Sequence, residues 1–180
     1  MNAPPNTPVQ ARLRALVRDV PDFPKPGILF RDITPLLSDA AAFRLAVEEL
    51  TARIRPLRPD VGAAVEARGF LVGAAVALAS GCGIIPIRKP GKLPYRSRRV
   101  TYALEYGTDT LEVHEDAIAP GQRVVLLDDV LATGGTLAGA ADLVRQSGAR
   151  VAACAVLLEL TALKGRDRLP GIEMIALLSY

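Results

Sequence analysis

Val124-Val125-Leu126-Leu127-Asp128-Asp129-Val130-Leu131-Ala132-Thr133-Gly134-Gly135-Thr136 is the stretch that decides the fold. The apolar run from Arg123 to Leu127 reads as a buried strand that delivers two adjacent carboxylates to its C-terminal edge. A small-residue turn follows, and from Gly134 the positions Leu137, Ala141 and Val144 recur at helical spacing until Gly148. Ligands of open α/β sheets bind at that strand edge. The turn from Ala132 to Thr136 offers backbone N–H groups at a helix N-terminus and two threonine hydroxyls, which together make a phosphate nest. It has neither the Gly-x-x-x-x-Gly-Lys spacing of an ATPase loop nor the Gly-x-Gly-x-x-Gly of a dinucleotide turn. Asp128 and Asp129 would repel a phosphate, so they need a different partner. The vicinal hydroxyls of a ribose suit two carboxylates, with the nest holding the 5-phosphate of the same sugar.

Outward from this stretch the period repeats. Val61–Val65 reads as a strand, Glu66-Ala67-Arg68-Gly69 as a turn, Phe70–Ser80 as a helix closed by Gly81 and Gly83, and Ile84–Ile87 as the next strand, a βαβ unit. Val151–Leu158 and Ile172–Leu178 continue the sheet, and Leu111–His114 alternates like a half-exposed strand. Upstream, Ser38 is placed to cap a helix over Asp39–Arg55 with Phe43, Val47 and Leu50 on one side, stopped by Pro56 and Pro59. The reading is one α/β domain over 1–180, a mostly parallel sheet flanked by helices. Residues 1–8 form a loose tail, followed by an amphipathic segment over Val9–Val17. Residues 20–34 form a proline-stiffened arm, and 88–109 a flexible loop or hairpin.

Composition supports this and narrows the function. At 180 residues and 19.1 kDa, half of them hydrophobic, one sizeable core is within reach without disulfides or a structural metal. Cys82 and Cys154 stand far apart in apolar surroundings, with no Cys-x-x-Cys. No apolar run reaches a membrane-spanning length, and no signal peptide is evident, so the chain reads as cytoplasmic. The net charge of +3 is too small to mark a nucleic-acid binder. The cations are concentrated instead in one segment, Arg88, Lys89, Lys92, Arg96, Arg98 and Arg99, which contains no acid and suits phosphate oxygens.

With these residues in place, the chain resembles the type I phosphoribosyltransferases, whose phosphoribosyl-pyrophosphate motif is matched by Val124–Thr136. Further stretches resemble the branch of that family that takes adenine. They are Asp22-Phe23-Pro24, Pro26-Gly27, Phe30-Arg31-Asp32-Ile33, Glu66-Ala67-Arg68-Gly69-Phe70, Arg88 to Pro94, Leu104-Glu105-Tyr106-Gly107, and Glu159-Leu160 with Leu163-Lys164-Gly165. The resemblance implies that adenine and phosphoribosyl pyrophosphate give AMP and pyrophosphate through an oxocarbenium-like state, in a homodimer. It implies Mg2+ held by pyrophosphate, ribose hydroxyls and water, with no side-chain ligand. It assigns Asp128 and Asp129 to the ribose hydroxyls and Ala132, Thr133, Gly134, Gly135 and Thr136 to the 5-phosphate. Pyrophosphate falls to Arg68, Arg88, Lys89 and Lys92, and adenine to Leu29, Phe30, Arg31 and Leu160. Glu105, Arg68 and Tyr106 are the catalytic candidates, Glu105 either managing a proton of the base or stabilising charge on the ribose. The Glu66-Ala67 peptide is expected to be cis, and Arg31 with Asp32 is expected to pair across the subunit interface. Residues Tyr95–Tyr102 match no family pattern.

Two rivals compete with this reading. A phosphoribosyltransferase for an oxo-purine would keep the Asp128–Thr136 chemistry with a different arm. A regulator that senses a sugar phosphate and binds DNA would need a DNA-binding element, and the short segment before the arm shows no helix-turn-helix.

Overall fold

The computed structural model describes residues 7–103 and 107–180. The elements run α1 (Pro8–Arg14), β1 (Arg18–Val20), β2 (Phe30–Asp32), α2 (Thr34–Ser38), α3 (Ala40–Ile54), β3 (Val61–Val65), α4 (Gly69–Ser80), β4 (Gly83–Ile87), β5 (Ser97–Ala103), β6 (Thr108–His114), β7 (Arg123–Leu131), α5 (Gly135–Gln146), β8 (Arg150–Glu159) and β9 (Met174–Ser179). Five strands make a parallel sheet in the order β4-β3-β7-β8-β9. From the central pair β3–β7, β4 lies on the outer side of β3, and β8 and β9 lie on the outer side of β7. The order therefore reverses between β3 and β7, which opens a crevice at their C-terminal ends.

Alternation along β7 divides the core. Val125 and Leu127 pack with α1, α2, α3 and α4 on one face, and Val124 and Leu126 pack with α5 on the other. The second face also receives the β5–β6 ribbon, an antiparallel pair in which Val100, Leu111 and Val113 are buried. Of the two forms expected for 88–109, a flexible loop or a hairpin, its second half takes the hairpin, with β5 as a core-packed strand. Tyr102 lies so close to α5 that a Cβ at Gly139 would stand 2.7 Å from its ring. Asp60 pins the starts of β3 and β7 together by accepting from the Arg123 backbone N–H at 2.7 Å and its guanidinium at 2.9 Å, which holds the carboxyl at about 2.

Several boundaries differ from the sequence expectation. The cap of α3 is Asp39, which accepts from the N–H groups of Ala41 and Ala42, because Ser38 is used by the short helix α2. The buried side of α3 is Ala42, Ala46, Leu50 and Ile54; Phe43 and Val47 flank it, half-buried. Strand β7 runs on to Leu131, so both acids sit inside the strand rather than after it. Glu112 on β6 is buried, not half-exposed, and the Glu66-Ala67 peptide is cis, as is Phe23-Pro24. Arg31 pairs with Asp19 across the β1–β2 hairpin, and Asp32 accepts from the Thr34 N–H at 2.9 Å, so both expected interface partners are engaged within the chain.

No helix among the described residues is long and apolar enough to cross a membrane. Both cysteines are unpaired. Cys154 lies in the core, and burial pushes its thiol up to about 12; Cys82 is half-buried, its thiol raised by burial and then by the Asp60 charge. Thiolate is the reactive form. At pH 8 a disulfide reagent should therefore modify the native protein slowly at Cys82 alone, modify both thiols in denaturant, and leave Cys82→Ala unmodified until it unfolds. Rapid native labelling of Cys154 would contradict the placement of β8.

Candidate active site

The crevice between β3 and β7 collects most of the residues singled out above. Asp128 and Asp129 are both buried at the end of β7. Asp128 accepts the Asp129 N–H at 2.9 Å, and Arg68, on the turn after β3, places its Nε 2.7 Å from an Asp129 oxygen. Burial, and then the charge of Asp129, push the Asp128 carboxyl well above the usual carboxylate range, with Arg68 opposing. A side chain at position 69 would collide with this arrangement, since its Cβ would lie 2.5 Å from the Asp128 carboxylate. Gly69 is the residue that lets α4 start directly against the acids.

Beside them, Asp128, Val130, Leu131 and residues Ala132–Leu137 enclose a small cavity of about 60 Å³ at the start of α5. Gly134 sits at the helix cap with φ 81° and no capping side chain, so the N–H groups of the first turn carry no cap and point at the cavity. A Cβ on Gly134 would meet the Gly165 carbonyl at 2.2 Å, and one on Gly165 would meet the Ala132 carbonyl at 2.3 Å. The two glycines thereby clamp the nest against the turn that follows β8.

A larger cleft of about 490 Å³ opens from the acids toward the arm, lined by Ile28, Leu29, Phe30 and Arg31 on one side and Leu160 and Leu163 on the other. Phe30 meets Phe23 edge to face at 5.1 Å, and the Arg68 guanidinium lies 5.0 Å from the Phe30 ring centroid. The cation beside the acids and the aromatic of the arm are therefore in contact. Glu159 grips Arg166 with two bonds of 2.6 and 2.7 Å, which fixes the turn bearing Leu160 and Leu163.

Four cations of the basic segment are each paired with an acid. Arg88 and Lys92 each bind one oxygen of Glu66 at 2.9 Å, and Lys89 pairs with Asp109. Gly91 N–H donates to Glu112 at 3.2 Å, Arg88 exchanges backbone bonds with Glu112, and Arg99 sits 2.5 Å from the same carboxylate. Arg98 donates to the Gln146 carbonyl on α5 and does not join the cluster. Glu105 and Tyr106 lie outside the described residues.

Sequence reasoning missed Glu66 as a ligand of the basic segment, Glu112 as its brace, and Tyr180. The Tyr180 ring is held between Arg14 and Arg31, each guanidinium 4.3 Å from its centroid. Its carbonyl accepts from the Thr161 N–H at 2.9 Å and hydroxyl at 2.6 Å. The acid two residues before Arg68 in the turn is the available signal for Glu66. Nothing local marks Tyr180.

A model of the phosphoribosyl transferase domain matches residues 37–174. The adenine phosphoribosyltransferase of Synechococcus sp. is 51% identical over 168 residues, 93% of this chain and 98% of that protein. The crystal structure of adenine phosphoribosyltransferase from Thermoanaerobacter pseudethanolicus superposes with a TM-score of 0.92 at 49% identity, covering 94% of this chain and 99% of the other. The Saccharomyces cerevisiae enzyme, complexed with an imino-altritol bisphosphate and adenine, gives 0.90 at 36% identity, covering 94% and 98%.

The raised Asp128 carboxyl sets a sign. An acid whose folded pKa lies above its unfolded value lowers stability as pH climbs through that interval, because the native state holds the proton longer. Asp128→Asn removes that penalty while keeping an acceptor for the Asp129 N–H. At pH 8 the variant should melt about 2–4 °C higher, the shift about 1 kcal/mol produces in a domain of this size. Its affinity for ribose 5-phosphate should fall ~10–100-fold by calorimetry, the loss expected of a charged hydrogen bond. A variant that melts lower and binds equally well would refute both parts.

Proposed function

The chain belongs to the adenine phosphoribosyltransferase family, and from that premise we propose how its residues divide the work. The reaction joins adenine to phosphoribosyl pyrophosphate and gives AMP and pyrophosphate. One observation carries the assignment of roles: an uncapped helix start, a buried carboxylate pair, a cluster of cations and an apolar cleft converge where the sheet order reverses.

The 5-phosphate seats on the N–H groups and hydroxyls of Ala132–Thr136, and Asp128 and Asp129 accept from the ribose hydroxyls. That grip keeps the sugar still while the bond from C1 to pyrophosphate breaks and N9 of the base attacks, with positive charge spread over the ribose. Arg68, Arg88, Lys89 and Lys92 take up charge on the departing pyrophosphate, where it grows in the transition state. Adenine lies in the cleft between Phe30 and Leu160, its amino edge read by backbone groups of the arm near Leu29 and Arg31. Glu105 is assigned the handling of a base proton or the stabilisation of charge on the ribose, and Tyr106 a catalytic role with it.

The donor set also fits Mg2+. Asp128 and Asp129 are hard oxygen donors buried at the end of β7, and Asp129 already holds Arg68. With pyrophosphate and ribose oxygens supplying the ligands, Asp128 and Asp129 would meet the ion indirectly at most. When bound, the ion neutralises the leaving group. The chain works in the cytoplasm and as a homodimer. Helix α4 is apolar all round, and its outward residues Leu71 and Leu78 (82% exposed) continue into Ile84 on the edge strand β4. A helix without a polar face is one covered on both sides, and a second copy of the same surface covers it symmetrically.

Pyrophosphate release with Mg2+ and phosphoribosyl pyrophosphate should be at least ~100-fold faster in kcat/KM with adenine than with guanine, hypoxanthine or xanthine. Turnover with an oxo-purine instead would overturn the roles of Phe30 and Leu160; no turnover with any base, despite tight sugar-phosphate binding, would favour a sensor. Light scattering should give twice the chain mass for the parent and a monomer for Leu78→Asp. A Leu78→Asp dimer would place the interface elsewhere.

A further inference from the structure

The basic cluster has an unexpected construction. Each of its four cations is bound to an acid, and in each pair the acid lies deeper than the base. Side-chain exposures are 42% for Arg68 against 9% for Asp129, 34% and 51% for Arg88 and Lys92 against 6% for Glu66, and 38% for Lys89 against 26% for Asp109. Glu66 holds two of the four. One oxygen takes Arg88 Nε and the other Lys92 Nζ, each at 2.9 Å, and the Lys89 backbone N–H also binds it. The carboxyl is held below its usual range because, although burial works against it, the bonds from Lys92 and Arg88 outweigh that cost. A fully ionised acid therefore stands behind the position assigned to a polyanion.

We propose that Glu66 is an internal counter-ion that pyrophosphate must displace, a residue that sets the affinity of the leaving-group subsite low enough for product to depart. The inference rests on the assignment of Arg88 and Lys92 to pyrophosphate. A bare cluster of four cations would bind substrate and product pyrophosphate alike, and such uniform binding adds nothing to turnover while slowing release. With Glu66 behind them, Arg88 and Lys92 are pre-oriented by their existing ion pairs. They give up part of that interaction when phosphate oxygens arrive and regain it when pyrophosphate leaves. The half-exposed position of both cations in front of the buried acid makes the exchange possible without moving the backbone.

The test is product inhibition. Glu66→Gln keeps the shape and removes the charge, so its inhibition constant for pyrophosphate should fall roughly tenfold and kcat should drop as release slows. Arg88→Ala, measured alongside, should weaken pyrophosphate inhibition. If Arg88→Ala weakens it while Glu66→Gln leaves it unchanged or weakens it too, Glu66 is only a brace and the inference fails alone. If Arg88→Ala has no effect on pyrophosphate inhibition, the subsite assignment fails and takes the inference with it. A crystal structure of the unaltered protein with pyrophosphate gives a readout that needs no variant. Arg88 Nε and Lys92 Nζ should lie on phosphate oxygens and away from Glu66, and two intact ion pairs beside a bound pyrophosphate would overturn the proposal.

Discussion

Two adjacent carboxylates buried at the end of one strand are the costly feature around which this molecule is arranged. Asp128 and Asp129 repel each other in a poorly solvated position, and neither would remain there without compensation. Arg68 supplies it by reaching Asp129 from the neighbouring strand's turn, which in turn requires β3 and β7 to lie side by side. Gly69 is required next, because anything larger would occupy the space of the Asp128 carboxylate. The order of the sheet, the turn after β3 and the start of α4 all follow from accommodating that pair.

The same economy runs through the rest of the site. The end proposed for the phosphate is backbone, an uncapped helix start kept in place by contact between Gly134 and Gly165. The end proposed for pyrophosphate is side chains paired with acids. The end proposed for the base is apolar and is shared between an arm and a turn far apart in sequence. Backbone dipoles suit a group that is held throughout the reaction, whereas long cations that can exchange partners suit a group that leaves.

What could be read in advance follows the range of the interactions. The strand-turn-helix from Val124 to Val144 and the βαβ unit around Arg68 were legible because apolar periodicity and adjacent chemistry lie within one short window. The cap of α3 falls one residue beyond the expected Ser38 because Ser38 and Asp39 are both good caps, and only the presence of α2 decides between them. Alternation along Leu111–His114 suggests a half-exposed strand; the burial of Glu112 depends on Arg99 and the loop at Gly91, partners that a strand pattern does not carry. The pairing of Arg31 with Asp19 rather than Asp32 follows from the β1–β2 hairpin, whose strands are only three residues long and leave almost no periodic signal.

Tyr180 connects parts of the cleft that the sequence keeps apart. Its ring is gripped by helix α1 through Arg14 and by the arm through Arg31, while its main chain is bonded to Glu159 and Thr161 beside Leu160. The two jaws that would hold a flat heterocycle are therefore gauged against a single residue outside the cleft, as the arms of a caliper are gauged at its pivot. The spacing of the jaws can then be adjusted by changing the pivot, with every lining residue left as it is.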